Sequence, residues 1–398
     1  MSYGRKNPRL FVVVAILIIS LVLLSLAPVI AAARPNKQNQ TTFGRLVSKV
    51  RQATHRWGRL VSGRGGRAGA RAEPLVAVKA VPKGEAGQTA SVFKPTPTPP
   101  MPAGTPEVAV SGSGAFAADV AEAGRMNFAA NQTVAVGYAG GTYYLLQGGR
   151  TLATSNRPIK LTPVVPGAIL SLPDYKDPNW NNMANLNAFR GNIEVAYSAK
   201  SGQLWAVNEL SVEDYLRGMA EASADAPEEH LKVMAIVSRS YVVHHLAGGG
   251  RHPGEPFQLK NSRNGNGDDQ VYRGYNAETR QPRIAKSVGD TAGTVVTYQG
   301  KPVITPYSTC PGGRTLSPAE ARWNVDWPWV RSVPDPDTAG MPRNGHGVGL
   351  SGIGSRKRAE RGETAAQILG YYFSGTSLGQ VDTAGQIVRV SIYGQPAK

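Results

Sequence analysis

The sequence predicts an α+β fold, and three observations indicate it. Short apolar runs separated by Gly and Pro turns, within 133–171, are typical of β-strands. Two neighbouring segments within 208–241 repeat apolar residues about every 3.6 positions, which predicts a pair of helices. A surface loop at 247–269, a hairpin pattern at 293–306 that turns at Gly300, and a last helical pattern at 356–372 follow. Strands, two helices, a loop, more strands, a Gly-rich loop and a helix, in that order, indicate an α+β domain.

The first 33 residues combine a basic start with a long apolar run. Basic residues near the N-terminus precede the uncharged, mostly apolar segment 10–33. This pattern predicts export, with 1–33 as a signal peptide or an N-terminal membrane anchor, and the length of the run favours the anchor. The segment 34–71 argues against export. It contains ten Lys and Arg and no acidic residue, and such a composition next to a span is typical of the cytoplasmic side of the membrane.

Residues 34–107 form a basic and then proline-rich segment, which we predict to be a disordered linker. Its part 94–106 is expected to be an extended spacer. Within 41–62, apolar residues at near-helical spacing alternate with arginines, so this part is either an amphipathic helix on anionic lipid or a solvated basic stalk. The net charge of +17 implies an anionic partner. Since the basic residues concentrate near the N-terminus, we expect a membrane surface or anionic wall polymers, and not nucleic acid.

Residues 108–188 are predicted to form a small β-rich domain. The run around 142–152 predicts a hairpin that turns at Gly148 and Gly149. The polar stretch 174–188 is expected to be an exposed loop. Aromatic residues of this region either stack on sugar faces or belong to the core, and both interpretations stay open for Tyr143, Tyr144, Tyr175 and Trp180.

The central helix pair carries the candidate catalytic group. Ser211 followed by Asp214 is typical of a helix start, and Pro227 suits the first position of a second helix. Glu221 falls at the joint between the two helices. A partly buried carboxylate there has its charged form disfavoured, which is a common way to obtain a general acid near neutral pH. The alternative is a solvated glutamate at a helix end.

Several motifs in the same order resemble those of the SpoIID/LytB family, which includes stage II sporulation protein D. The resemblance extends over 190–378 and defines a predicted SpoIID/LytB-like domain at 189–380, followed by a C-terminal strand or tail at 381–398. The motifs are 208–241, 270–274 (QVYRG), 291–293 (TAG), 307–315 (YSTCPGGRT) and 345–354 (GHGVGLSGIG).

The resemblance implies a peptidoglycan lytic transglycosylase in the extracytoplasmic space, anchored to the membrane or secreted to the cell wall. Glu221 would protonate the oxygen between MurNAc and GlcNAc, and the muramic C6 hydroxyl would close a 1,6-anhydro ring. One carboxyl group suffices because the nucleophile belongs to the substrate, whereas glycosidases commonly need two. The expected partner is the glycan strand, and the expected substrate contacts are Arg239, Tyr241, Tyr307, His346 and Ser351.

Two other functions stay open. One is a non-catalytic, wall-binding enhancer of an N-acetylmuramoyl-L-alanine amidase, as implied by LytB-type relatives. The other is a structural tether between membrane and wall. Met234 and Gly352 stand where the family has Gln, which is compatible with the enhancer. Lys232 is expected either to act near Glu221 or to form a surface ion pair on its own helix.

No cofactor and no metal are predicted. Some family members hold zinc through Cys and His just before the QVY motif, but 264–269 (NGNGDD) offers no such ligand here. Cys310 is the only cysteine, so an intramolecular disulfide is impossible and we expect a packed side chain rather than a nucleophile. We expect His244, His245 and His252 to be solvated or hydrogen-bonded rather than metal ligands.

Overall fold

The structure is a computed structural model that describes residues 98–176, 186–262 and 269–397. The predicted signal peptide or anchor and almost all of the predicted linker lie outside these residues, as does Trp180. Within the described ranges, no helix has both the length and the apolar character needed to cross a membrane.

Strands form the first part of the described chain. Their turns follow the prediction at Gly148 and Gly149, which both have the positive φ that a two-residue hairpin loop requires. The strands are β1 (Glu107–Gly112), β2 (Phe116–Val120), β3 (Gly124–Phe128), β4 (Thr133–Ala139), β5 (Thr142–Gln147), β6 (Arg150–Ser155), β7 (Ile159–Pro163), β8 (Leu170–Ser171), β9 (Ala188–Phe189), β10 (Asn192–Ser198) and β11 (Gln203–Ser211).

Helices and shorter strands follow β11, and a 3₁₀ turn lies at Pro336–Thr338. The hairpin predicted to turn at Gly300 is present as the antiparallel pair β13–β14. In chain order the elements are α1 (Val212–Arg217), α2 (Glu228–Ala247), β12 (Leu259–Lys260), α3 (Gly274–Arg280), α4 (Pro282–Asp290), β13 (Thr294–Tyr298), β14 (Lys301–Pro302), β15 (Tyr307–Ser308), β16 (Leu350–Ser351), α5 (Gly352–Glu360), α6 (Ala365–Tyr372), β17 (Ser377–Gln380) and β18 (Ile387–Pro396).

Two larger sheets organise the strands, and the mixed α+β class is confirmed. One has the order β6-β5-β4-β1-β8-β9 and the other β12-β18-β11-β10-β7-β2-β3. Alternation along β10 places Ile193 and Val195 in the core, while Glu194 between them is partly exposed. The second sheet joins β2, β3 and β7 to β10, β11 and β18, so strands on both sides of residue 188 share one sheet and one hydrophobic core.

Strand β11 leads directly into α1, and most residues of α2 are buried. α2 is packed by α4 and β13 and also by α5 and α6. Residues on nearly all sides of α2 are therefore buried, beyond the single apolar face that the sequence pattern predicts. Val237 and Met234 belong to a second core cluster that also contains Ile368 and Tyr372 of α6.

Two sequence expectations need correction. The helical pattern at 356–372 forms two helices, because Gly362 with φ of +88° ends the first and Thr364 caps the second through a capping box with Gln367. The predicted surface loop 247–269 contains β12, which pairs in parallel with β18, and buries Phe257 and Leu259.

Candidate active site

The connection between α1 and α2 holds Glu221, as the sequence predicts. The Ser211 hydroxyl accepts a hydrogen bond from the Asp214 backbone N–H at 3.1 Å and caps α1. The helix ends at Gly218, where a Cβ would lie only 2.6 Å from the ring of Tyr272. This close approach lets the chain pass along residues 270–273 before α2 begins after Pro227.

Two backbone contacts fix the position of Glu221. The Ala220 N–H donates to the Val271 carbonyl at 2.9 Å. The Val271 N–H then donates to Glu221 Oε1 at 2.5 Å. The Tyr307 hydroxyl supplies another hydrogen bond to the same carboxyl group. The carboxyl group is thus held by one backbone donor and one side-chain donor from separate parts of the chain.

The surroundings of Glu221 are mostly apolar. Desolvation has the largest influence on its pKa and raises it from 4.5 to about 7, against the lowering effect of the Val271 and Tyr307 hydrogen bonds and of the Arg273 charge. A carboxyl group with this pKa holds its proton in a large fraction of molecules near neutral pH. The pocket beside it is lined by Leu216, Met219, Ala222, Leu231, Met234, Ala235, Ser238, Ile284 and Val288.

A buried polar relay orients Tyr307. The Tyr215 hydroxyl donates to Gln270 Oε1 at 3.1 Å, and Gln270 Nε2 donates to the Tyr307 hydroxyl at 3.2 Å. Because the Tyr307 oxygen accepts from the amide, its own hydrogen is free to be donated to Glu221 or to the neighbouring Ser238 hydroxyl. Burial and the nearby charge of Glu221 raise the pKa of Tyr307 well above its usual value. Tyr307 therefore stays protonated and can donate to Glu221.

His346 lies at the surface on the Tyr307 side of this group. Its Nδ1 accepts from the Val348 N–H at 3.0 Å, so the neutral ring carries its hydrogen on Nε2. Desolvation lowers the pKa of His346, although the Tyr307 carbonyl beside it raises the pKa. The Gly-rich loop packs tightly here, since a Cβ on Gly349, where φ is +76°, would lie 2.2 Å from the Pro306 carbonyl oxygen. Glu221, Tyr307 and His346 are therefore brought together as predicted site residues.

Tyr241 belongs to a separate polar cluster around Asp269. The Tyr241 hydroxyl donates to Asp269 Oδ1 at 2.8 Å and accepts from Arg251 at 2.9 Å, while Arg251 also donates to Asp269. The other Asp269 oxygen lies 2.7 Å from both His252 Nε2 and the Lys260 N–H. These donors lower the pKa of Asp269 to about 2, although its burial acts in the opposite direction. Asp269 is consequently ionised, and both of its carboxylate oxygens accept hydrogen bonds.

Two predicted substrate contacts lie in the protein interior instead. Arg239 is fully buried, and its Nε and Nη2 each bind one carboxylate oxygen of Glu213 at 2.8 Å. Its further donors reach backbone carbonyls of α4 and β13, because Arg239 lies on the side of α2 that packs against these elements. Ser351 is also buried and caps α5 by accepting from the Gly354 N–H at 2.9 Å. Both side chains hold structural elements in place.

Other candidates from the sequence are engaged away from Glu221. Lys232 forms ion pairs with Glu228 at 3.0 Å and Glu229 at 2.8 Å on α2, which confirms the surface alternative. Cys310 is buried, as expected of a packed cysteine. Among the residues that the structure describes, no group of His, Cys, Asp or Glu side chains is arranged to hold a metal ion.

Several site residues escaped the sequence interpretation. The sequence pattern placed Tyr215 on the apolar face of a helix, and it indicated no role for Gln270 beyond its place in the QVYRG motif. Trp323, whose ring centroid lies 5.0 Å from that of His346, carried no signal beyond the aromatic run at 323–329. For three of the aromatic residues considered for sugar stacking, the core interpretation holds, because Tyr143, Tyr144 and Tyr175 are buried.

Comparison with known proteins bears on this geometry. Residues 200–298 match the family model described as "SpoIID: Stage II sporulation protein". This segment of the chain is similar to the SpoIID domain. The matched residues include Glu221 and the 270–274 motif, so the resemblance found in the sequence is confirmed for this segment. The SpoIID family is linked to cell-wall lytic function in sporulation. The motifs at 307–315 and 345–354 lie beyond the matched residues.

One similar curated protein is an uncharacterized protein of Brachyspira hyodysenteriae. It is 33% identical to this chain over 129 residues, which is 32% of this chain and 33% of the relative. The chain thus matches about a third of that relative's length.

Proposed function

We propose that this protein is a peptidoglycan lytic transglycosylase of the extracytoplasmic space, with Glu221 as its catalytic acid and base. The observation that carries the proposal is the setting of Glu221. Its carboxyl group lies beside an apolar pocket, has a pKa of about 7, and receives hydrogen bonds from the Val271 N–H and the Tyr307 hydroxyl. The SpoIID domain supports a substrate in the cell wall.

The proposed reaction uses one proton twice. Protonated Glu221 gives its proton to the glycosidic oxygen between MurNAc and GlcNAc as the bond from this oxygen to muramic C1 breaks. The C6 hydroxyl of the same muramic residue then forms a bond to C1, and its proton returns to Glu221. No water is consumed, and the products are a 1,6-anhydro-MurNAc end and a free GlcNAc end. General acid and base roles for one group at successive steps follow from its pKa near the operating pH.

Val271 and Tyr307 support both protonation states of Glu221. When Glu221 has lost its proton, the two donors stabilise the carboxylate, which a purely apolar pocket would not. The other carboxylates near this region, Glu213 and Asp269, are each bound to an arginine and have lowered pKa values. Neither is free to act as a second base, which suits a reaction whose nucleophile is part of the substrate.

The test is cleavage of purified glycan strands by the full-length chain, with and without stem peptides, followed by mass spectrometry. We expect anhydro-muramic ends from the native protein and none above background from Glu221→Gln. Loss of general acid catalysis is expected to lower the rate by about 10²–10⁴-fold. Glu228→Gln, a change on the exposed surface of α2, is the matched control and keeps its activity.

Other outcomes would redirect the proposal. If neither native protein nor Glu221→Gln cleaves strands but both bind them, the non-catalytic enhancer of an amidase becomes the better reading. The same two proteins would then be compared for their effect on amidase release of stem peptides. Equal cleavage by both would show that Glu221 is not the acid.

A further inference from the structure

Trp323 lies at the outer edge of the candidate site. Its ring centroid is 5.0 Å from that of His346, and the ring of Trp327 meets it edge-on at 5.9 Å. His346 in turn lies beside the carbonyl of Tyr307, whose hydroxyl contacts Glu221. A series of contacts, one of them through the Tyr307 backbone, therefore connects the proposed acid with two tryptophans.

Hydrogen bonds within the loop that carries Trp323 hold the loop in one conformation. The Trp323 N–H donates to the Pro318 carbonyl at 2.9 Å, and the preceding Arg322 adopts φ of +58°, a left-handed conformation that is uncommon for residues other than glycine. Glu320 ties the start of the loop by accepting from the Ser317 N–H at 2.8 Å. Trp323 is thus fixed at its position before any ligand arrives.

Trp323 and Trp329 are both partly exposed, but they make different contacts. Trp329 donates its indole N–H to the Ile304 carbonyl at 2.8 Å and anchors the loop to the core. Trp323 is partly exposed, and it lies next to exposed His346. The partly exposed Trp323 indole offers an apolar surface, and the N–H of the neighbouring His346 ring offers a polar group that can orient a ligand.

We infer that Trp323 and Trp327 form a subsite for one pyranose ring of the glycan strand, on the His346 side of Glu221. The apolar face of the sugar packs on the Trp323 indole, and the polar edge of the sugar faces His346. This inference rests on the proposed function, because the occupant is the polymer that Glu221 would cleave. It identifies a strand of several sugars, rather than a disaccharide, as the substrate class.

The test is binding of the full-length chain to stem-free glycan oligosaccharides of increasing length, measured by calorimetry in the Glu221→Gln background. For the longest oligosaccharide we expect Trp323→Ala to weaken binding by about ten-fold and Trp323→Phe to weaken it less, since a ring face is retained. A disaccharide is expected to bind equally to all variants. Tyr138→Ala, which removes a partly exposed aromatic residue from β4, is the control and leaves affinity unchanged.

The length dependence separates a sugar contact from a structural role. If Trp323→Ala is unfolded, Trp323→Phe is compared with its parent, and thermal unfolding is recorded for each. Unchanged affinity of folded variants for all oligosaccharides would overturn the subsite, even if native protein produces anhydro ends. Trp323-dependent binding without any cleavage would instead retain the subsite and remove the lytic proposal.

Discussion

Glu221 and Asp269 are two carboxylates of the same domain with opposite properties. Glu221 has a pKa of about 7, whereas Asp269 has a pKa of about 2. They are close in the fold although far apart in the chain, because Val271, which donates to Glu221, lies two residues after Asp269. Desolvation raises the pKa of both, so burial alone does not explain the difference.

The difference arises from the donors that each carboxylate receives. Asp269 is contacted by Tyr241, Arg251, His252 and the Lys260 N–H, and its side chain has no exposed area. Glu221 receives the neutral donors Val271 and Tyr307, and the Arg273 charge is the weakest of its influences. The surroundings of Asp269 therefore stabilise its ionised form, whereas those of Glu221 allow the carboxyl group to gain and lose a proton near neutral pH.

Neutralising Asp269 is expected to have the largest effect on stability. Asp269→Asn puts an NH₂ group against donors and removes charge-assisted hydrogen bonds, so we expect a loss of about 4 kcal/mol in the free energy of unfolding. Glu221→Gln is expected to be neutral or stabilising at pH 8, because no buried charge remains. Denaturant unfolding of the full-length variants measures both changes.

The control for Asp269→Asn is Asp119→Asn. Asp119 forms an exposed ion pair with Arg125 at 3.0 Å. Exposed ion pairs contribute less than about 1 kcal/mol. If Asp269→Asn were as stable as Asp119→Asn, the donors around Asp269 would not be the reason for its low pKa.

The pH dependence of stability is the second way to test the comparison. The folded pKa of Glu221 lies above the usual 4.5, so the folded state binds the extra proton between pH 4.5 and about 7. Native protein should lose about 3 kcal/mol relative to Glu221→Gln as the pH rises through this window, and none beyond it. For Asp269 the sign is reversed, and its contribution is lost as the pH falls from 3.8 to about 2.

Unfolding measured from pH 4 to pH 8 on native protein and Glu221→Gln gives this difference directly. Histidines and other groups titrate in both proteins and cancel in the subtraction. A constant difference across the range would mean that Glu221 titrates at its ordinary pKa, and the assignment as an acid near neutral pH would lose its basis.

Tyr307→Phe is expected to widen the difference between the pKa of Glu221 and that of Asp269. Without the phenol, the Glu221 carboxylate loses one of its donors, so its pKa should rise by about one unit. The alkaline limb of kcat/KM then moves to higher pH, while the maximum rate falls about ten-fold because the carboxylate is less stabilised after proton transfer. Anhydro-muramic ends formed at pH 5 to 9 provide the measurement. A lower rate with an unmoved limb would place Tyr307 on the substrate instead.

The sequence accounts for the local features better than for the packing around them. The Ser211 cap, the joint at Glu221 and the hairpins at Gly148 and Gly300 each depend on a few neighbouring residues, and all were predicted. The resemblance assigned Arg239 to the substrate. Its ion pair with Glu213 was missed because the two residues belong to different helices, and distance along the chain does not reveal such a pair.

The relay through Gln270 could not be predicted for a similar reason. Its partners Tyr215 and Tyr307 come from α1 and β15, and only the folded chain brings them together. Glu221 itself owes its pKa to side chains of α1, α2 and α4, which no local pattern specifies. The position of Glu221 between the two helices was therefore predictable, whereas the groups that contact its carboxyl group and shift its pKa were not.

Met234→Gln is the smallest expected change and acts in the opposite direction to Tyr307→Phe. Met234 lines the pocket beside Glu221, at a position where the resemblance implied Gln. An amide there reduces desolvation and can donate to the carboxylate, so the pKa of Glu221 should fall by about half a unit. At pH 8 the protonated fraction, and with it kcat/KM, should fall roughly three-fold. Met234→Leu keeps the pocket apolar and is expected to leave the limb in place. If the Gln and Leu variants gave the same pH profile, the apolar lining at this position would not set the pKa, and the desolvation of Glu221 would have to come from the other residues around it.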